Sequence, residues 1–182
     1  MSWKNTTERY GSLSIGLHWL MFVLLVAVYT CVNLADAFPK GSAPREALKN
    51  WHFMLGLSVL GLVLLRLLAR RIGVTPVIVP AVPAWQQRLG GVLHGALYLL
   101  MVVMPLLGWL VLSAAGDAIP FFGARLPALL GENKALAHTL KEVHETVGTM
   151  GYALIGVHAL AALVHHYVWR DNTLVRMLPV RR

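Results

Sequence analysis

The chain has 182 residues, of which 57% are hydrophobic and only 13% charged, and its formal net charge is +8. Soluble domains carry about 25% charged residues, so this composition excludes an ordinary water-soluble globule and points to the membrane. One cysteine, Cys31, excludes a disulfide framework and reads as a small apolar filler, and there is no C-x-x-C-H motif.

About 20 apolar residues cross a bilayer as a helix, and four stretches qualify. Residues 14–34 lack Asp, Glu, Lys and Arg. They predict a first helix over about 10–34. Its position suits a signal peptide, and Ala35 and Ala37 offer a small-x-small site. The apolar run is longer than the usual 7–15 residues and begins with His18 and Trp19, so it reads as a retained span. The second helix, about 50–70, is uncharged over 50–65 and continues past Arg66. Pro76, Pro80 and Pro83 then favour extended backbone, with Trp85 close to the interface. The third helix, about 89–115, holds Pro105, a kink that neighbouring helices tolerate. The connection from Gly116 to Lys141 is the longest and is expected to contain a short amphipathic helix. The fourth helix, about 144–169, is uncharged over 146–169. Trp19, Trp51, Trp85, Trp109 and Trp169 fall near helix ends, as interface anchors do. The expected fold class is all-α: an integral-membrane four-helix bundle, one domain over 1–182.

Charge sets the expected orientation. The N-terminus, the loop between helices 2 and 3 and the C-terminus hold Lys4, Arg9, Arg66, Arg70, Arg71, Arg88, Arg170, Arg176, Arg181 and Arg182 against only Glu8 and Asp171. The other two loops hold Lys40, Arg45, Lys49, Arg125, Lys134 and Lys141 against six carboxylates. The basic side is expected to be cytoplasmic, with both termini inside. These charges border membrane spans, which argues against nucleic-acid binding.

Eight histidines stand out: His18, His52, His94, His138, His144, His158, His165 and His166. Only His138 is expected outside a span or its flank. Ionisable residues inside a membrane are costly and mark functional sites by default. At about 100° per residue, His144, Gly148, Gly151, Ile155, His158, Ala162 and His165 fall on one arc of helix 4. The small residues suit either close helix packing or a flat, bulky ligand. His144 and His158, 14 residues apart, are separated by about 21 Å of rise. That fits two large cofactors stacked across the bilayer. His158 and His165 are too close for this, about 10 Å along the axis. A b-type haem iron commonly takes a second axial histidine from another helix. By depth His52 matches His144. For His158 both His18 and His94 remain available, with a slight preference for His18.

The stretches "LHWLMFVLL", "NWHFMLG" and "HETVGTMGYALIGVHALAALVHHYVWRDNTLVRMLP", within a positive-inside four-span layout, resemble the prokaryotic cytochrome b561 family. The resemblance runs nearly end to end and extends to those di-haem members that oxidise superoxide and reduce ubiquinone in the bacterial inner membrane. It implies one haem b on His18 and His158 towards the cytoplasm and another on His52 and His144 towards the periplasm. It also links the position of His165 to the quinone; His166, about 100° further round the helix, could exchange roles with it. Superoxide is an anion that basic outer residues would steer, yet the outer loops sum to zero. Related cytochromes serve as electron-transfer subunits that join a dehydrogenase or hydrogenase to the quinone pool, which makes a protein partner the main alternative. A metal or proton transporter would want carboxylates beside the histidines within the spans, and the sequence places none there.

Overall fold

The computed structural model describes residues 2–179; Arg181 and Arg182, counted above with the basic side, lie outside the described residues. Its helices are α1 (Ser12–Ala35), α2 (Ala43–Ile72), α3 (Ala84–Ala115) and α4 (Lys134–Val164). All four are long and apolar enough to cross a membrane. Leu20, Val23, Leu64, Leu68, Leu99, Val157 and Leu160 stand exposed around the outside. An apolar exterior of this kind belongs in lipid rather than water.

Local chemistry sets the helix ends. Ser42 and Pro44 open α2, Glu46 lies in its first turn, and Arg70 and Arg71 lie in its last. Each charge complements the end of the helix dipole beside it. Gly116 closes α3 in the left-handed region at φ 78°, which glycine adopts without steric cost. Asn133 caps α4, its side chain accepting from the Leu136 N–H at 3.0 Å. The last helix continues as a π-helical turn, His165–Trp169, and stops at Arg170, whose φ is 53°.

Three helices start earlier than their uncharged cores predict: at Ala43, Ala84 and Lys134 rather than near 50, 89 and 144. Charge-free runs measure the part of a helix that fits in lipid. Arg45, Glu46, Lys49, Lys134, Lys141 and Glu145 occupy helical turns beyond that slab. The amphipathic helix expected between Gly116 and Lys141 does not form as a separate element. Its second half is the start of α4. Its first half is an antiparallel hairpin of Ile119–Phe121 with Ala124–Leu126, turned by Phe122 and Gly123 at φ 46° and 88°.

The helices pack in chain order, α1 on α2, α2 on α3 and α3 on α4. Met21, Val59, Leu62, Val63 and Met101 form the main core cluster. The small-residue arc of α4 receives side chains from both neighbours. The Tyr29 hydroxyl donates to the Gly148 carbonyl at 2.9 Å, and the Asn33 amide donates to the Tyr152 hydroxyl at 2.6 Å. A Cβ on Gly148 would lie 3.3 Å from Met104 Cε, and one on Gly151 would overlap the Tyr29 hydroxyl. Gly151→Val should therefore destabilise the bundle by about 1–3 kcal/mol through overpacking. A thermal melt in detergent measures this, and an unchanged midpoint would mean that Tyr29 swings aside freely.

The three segments grouped by their positive charge meet at one end. Val77 N–H donates to the Thr7 carbonyl at 2.8 Å, and Asn172 N–H to Val79 at 3.0 Å. Arg9 donates to the Leu178 carbonyl at 2.7 Å, Trp19 Nε1 to Met177 at 2.8 Å, and Arg176 to Pro76. The proline-rich segment is non-helical as expected, and it is held between the two terminal segments.

Candidate functional site

Five of the histidines gather inside the bundle in two groups. At one level His52 on α2 faces His144 on α4, with ring centroids 6.2 Å apart. At the other, His158 on α4 faces His18 on α1 at 6.2 Å and His94 on α3 at 5.2 Å. α4 thus supplies one histidine to each level, two members of the arc read from helical periodicity. His18 reaches His158 although α1 starts only at Ser12, because the two helix ends are not level. The C-terminal tail folds back so that Met177 sits beside Trp19, and α4 overhangs the start of α1.

The second nitrogens of these rings are held differently. His52 Nδ1 lies 3.0 Å from the Val28 carbonyl. Donation there leaves Nε2 with a free lone pair, the usual way a backbone carbonyl orients a metal-binding histidine. His144 Nδ1 is buried without a well-formed hydrogen bond; its ring packs where a Cβ on Gly108 would lie 3.3 Å away. His18 Nδ1 lies 3.2 Å from Arg66 Nη2. Arginine can only donate, so in this arrangement His18 Nδ1 accepts.

His165 sits in the π-helical turn, where its Nδ1–H donates to Asp171 Oδ2. Asp171 is 4% exposed and also accepts from the Thr173 N–H at 2.8 Å. Burial would push its carboxyl up, but these donors, His165 first, hold it below the usual carboxylate range. His166 packs edge-on against Tyr167. His138, expected outside the spans, is exposed in the first turns of α4, 3.6 Å from Glu142.

The outer basic residues do not form a free cluster. Arg45 pairs with Asp36 at 2.8 Å, Lys49 with Glu46 at 3.0 Å, Lys134 with Glu132 at 2.9 Å and Lys141 with Glu145 at 3.0 Å. Among the described residues only Lys40 and Arg125 of the six make no ion pair. Cys31 is a free, half-buried thiol within α1.

Residues 9–180 match the family model for prokaryotic cytochrome b561. The chain belongs to the prokaryotic cytochrome b561 family. It is 38% identical over 175 residues, 96% of this chain and 98% of the other, to a Yersinia pestis protein named probable superoxide oxidase CybB. It is 35% identical over 175 residues, 96% and 99% of the two chains, to cytochrome b561 homolog 1 of Escherichia coli. It is 30% identical over 182 residues, 94% and 96%, to cytochrome b562 of Cereibacter sphaeroides. It is therefore a membrane electron-transfer protein of a family that binds haem b.

The histidines fit that group. Two imidazoles on opposite sides of one iron, each bonded at about 2.0 Å, place their ring centroids roughly 6.3 Å apart. The His18–His158 and His52–His144 separations match this figure, whereas His94–His158 is about 1 Å shorter. Ligation through His18 Nε2 puts the proton on Nδ1, so the Arg66 contact would have to be given up.

Reading by charge and hydropathy missed three features. Arg66 was counted with the basic side, yet it reaches the histidines between the helices; its place inside an apolar run is the signal that marks it. The Tyr29–Gly148 and Asn33–Tyr152 bonds join helices distant in sequence and leave no local signature. Asp171 was the one carboxylate beside α4's basic end, and its spacing of six from His165 suits no regular helix. A π-helical turn brings the two together.

Proposed function

We propose that this chain is a di-haem b oxidoreductase that takes electrons from superoxide at the periplasmic surface of the bacterial inner membrane and passes them to ubiquinone near the cytoplasmic surface. The observation that carries this reading is the pair of facing histidines at each of two levels, His52 with His144 and His18 with His158, each at 6.2 Å. The kinship with the Yersinia pestis protein supports the choice of superoxide. The basic end tied together by both termini supports the cytoplasmic placement of those termini.

Bound haem b supplies one-electron redox centres at two depths. His52 and His144 would hold the outer one, and His18 and His158 the inner one. The Val28 carbonyl orients the His52 ring for this task. In the balanced reaction two superoxide anions each release one electron and leave as O2; one ubiquinone gains both electrons and two protons to become ubiquinol. His165 and His166 stand at the inner end as candidates to hydrogen-bond the quinone. His165 already spends Nδ1 on Asp171, so Nε2 is the atom left to face the quinone, accepting from a quinol hydroxyl while the ring is neutral.

A second reading is an electron-transfer subunit for a dehydrogenase or hydrogenase. Four of the six outer cations are paired with carboxylates, which weakens any funnel for an anion. The hairpin also presents an exposed Phe122 at its turn, a feature suited to protein docking. Stopped-flow mixing separates the two. Superoxide should reduce the haems of the purified protein directly, and ubiquinone should then reoxidise them. Haems that ignore superoxide but accept electrons from ubiquinol would establish the partner-subunit reading instead.

A further inference from the structure

We infer that Arg66 is the fixed positive charge that sets the reduction potential of the inner haem above that of the outer one, making electron flow across the membrane downhill. The inference rests on the di-haem reading.

Arg66 lies inside the apolar run of α2, with Leu64, Leu65, Leu67 and Leu68 around it. A charge placed there is costly unless it is used. None of the ion pairs among the described residues includes it. Its guanidinium instead lies 3.2 Å from His18 and 6.0 Å from the centre of the Tyr98 ring. His158 and His94 share the level of His18, His158 lying 6.2 Å from His18 and 5.2 Å from His94 between ring centroids. One turn further along α2, the Arg70 guanidinium lies 5.7 Å from the same ring centre. The inner level therefore carries one permanent cation in contact and a second one turn away.

The outer level is different. The residue next to His144 in the chain is Glu145, and Lys141 pairs with that carboxylate at 3.0 Å. Both side chains of that pair are mostly exposed, so water screens their fields. A cation close to an iron centre favours its reduced, less positive state. An arginine keeps its charge at every physiological pH. The asymmetry thus raises the inner centre relative to the outer one. Ligation at His18 displaces the observed hydrogen bond but not the charge, which remains anchored on α2.

Redox titration of the visible spectrum tests this. Arg66→Gln should keep two haems and lower the inner midpoint by at least a tenfold change in its reduction equilibrium, 59 mV for one electron. The outer midpoint should not move, and Arg66→Lys should restore most of the inner one. An unchanged inner midpoint in Arg66→Gln overturns the inference. So does loss of the inner haem in Arg66→Gln together with a lowered inner midpoint in Arg66→Lys, which would show that Arg66 holds the haem in place and that its charge does not set the potential. A second measurement needs no arginine variant. The haem left in His144→Ala should titrate above the haem left in His158→Ala, and the reverse order also overturns the inference. Absence of any b-type spectrum in the unaltered protein would instead remove the di-haem reading.

Discussion

His158→Ala should leave one haem per chain instead of two and abolish ubiquinone reduction by superoxide. His158 is the residue on which the inner level converges, facing α1 through His18 and α3 through His94. Alanine removes the α4 ligand, and neither neighbour can occupy both sides of one iron. The outer pair is about four turns away along α4, so its haem should persist and still be reduced by superoxide. The electrons would then have no onward route. Haem-to-protein ratio, reduced-minus-oxidised spectra and quinol formation measure the three parts separately. His94→Ala is the control: its shorter approach to His158 disfavours it as an axial partner, so both haems should remain. Two haems in His158→Ala, or one in His94→Ala, would show that the inner pairing is assigned wrongly.

Asp171→Ala should lower the stability of the basic end by about 2 kcal/mol, the usual cost of leaving buried hydrogen-bond donors without an acceptor. The side chains of Asp171 and His165 are 1% and 15% exposed, so solvent offers little compensation. Removing the carboxylate leaves the Thr173 N–H and His165 Nδ1–H without an acceptor and loosens the turn that ends α4. The pH dependence follows from the sign of the shift. The folded carboxyl is held below its unfolded value of about 4. Its contribution is therefore complete above that pH and is lost as pH falls towards the folded value. Thermal melts in detergent between pH 3 and pH 7 should show an acid-side loss that is reduced in Asp171→Asn. Equal acid slopes in the two proteins would sink the assignment of this carboxylate.

The four spans were legible because lipid imposes a long apolar run that no charge interrupts. The helix ends were not. Lys134 to His144 is fully helical, but nothing in hydropathy distinguishes a helix that leaves the slab from a loop. The outer pair was legible by depth, since His52 and His144 both begin their uncharged runs. The inner pair stayed open between His18 and His94 because the stagger of α1 against α4 depends on the C-terminal tail folding back to Trp19. That contact joins residues far apart in the chain and has no periodicity to read. The His165–Asp171 bond was hidden for a related reason: regular helical spacing does not bring residues six apart into contact, and the π-helical turn does.

Each facing pair takes one histidine from the hairpin of α1 and α2 and one from α4. A shared iron would therefore cross-brace the α1–α2 hairpin to α4, which no loop joins directly. Cofactor supply would then act on maturation as well as on chemistry. By mass action, whatever binds only the closed bundle deepens its stability with every increment of free ligand. Cells short of haem should hold less of this protein, cleared before it ever fails as a catalyst.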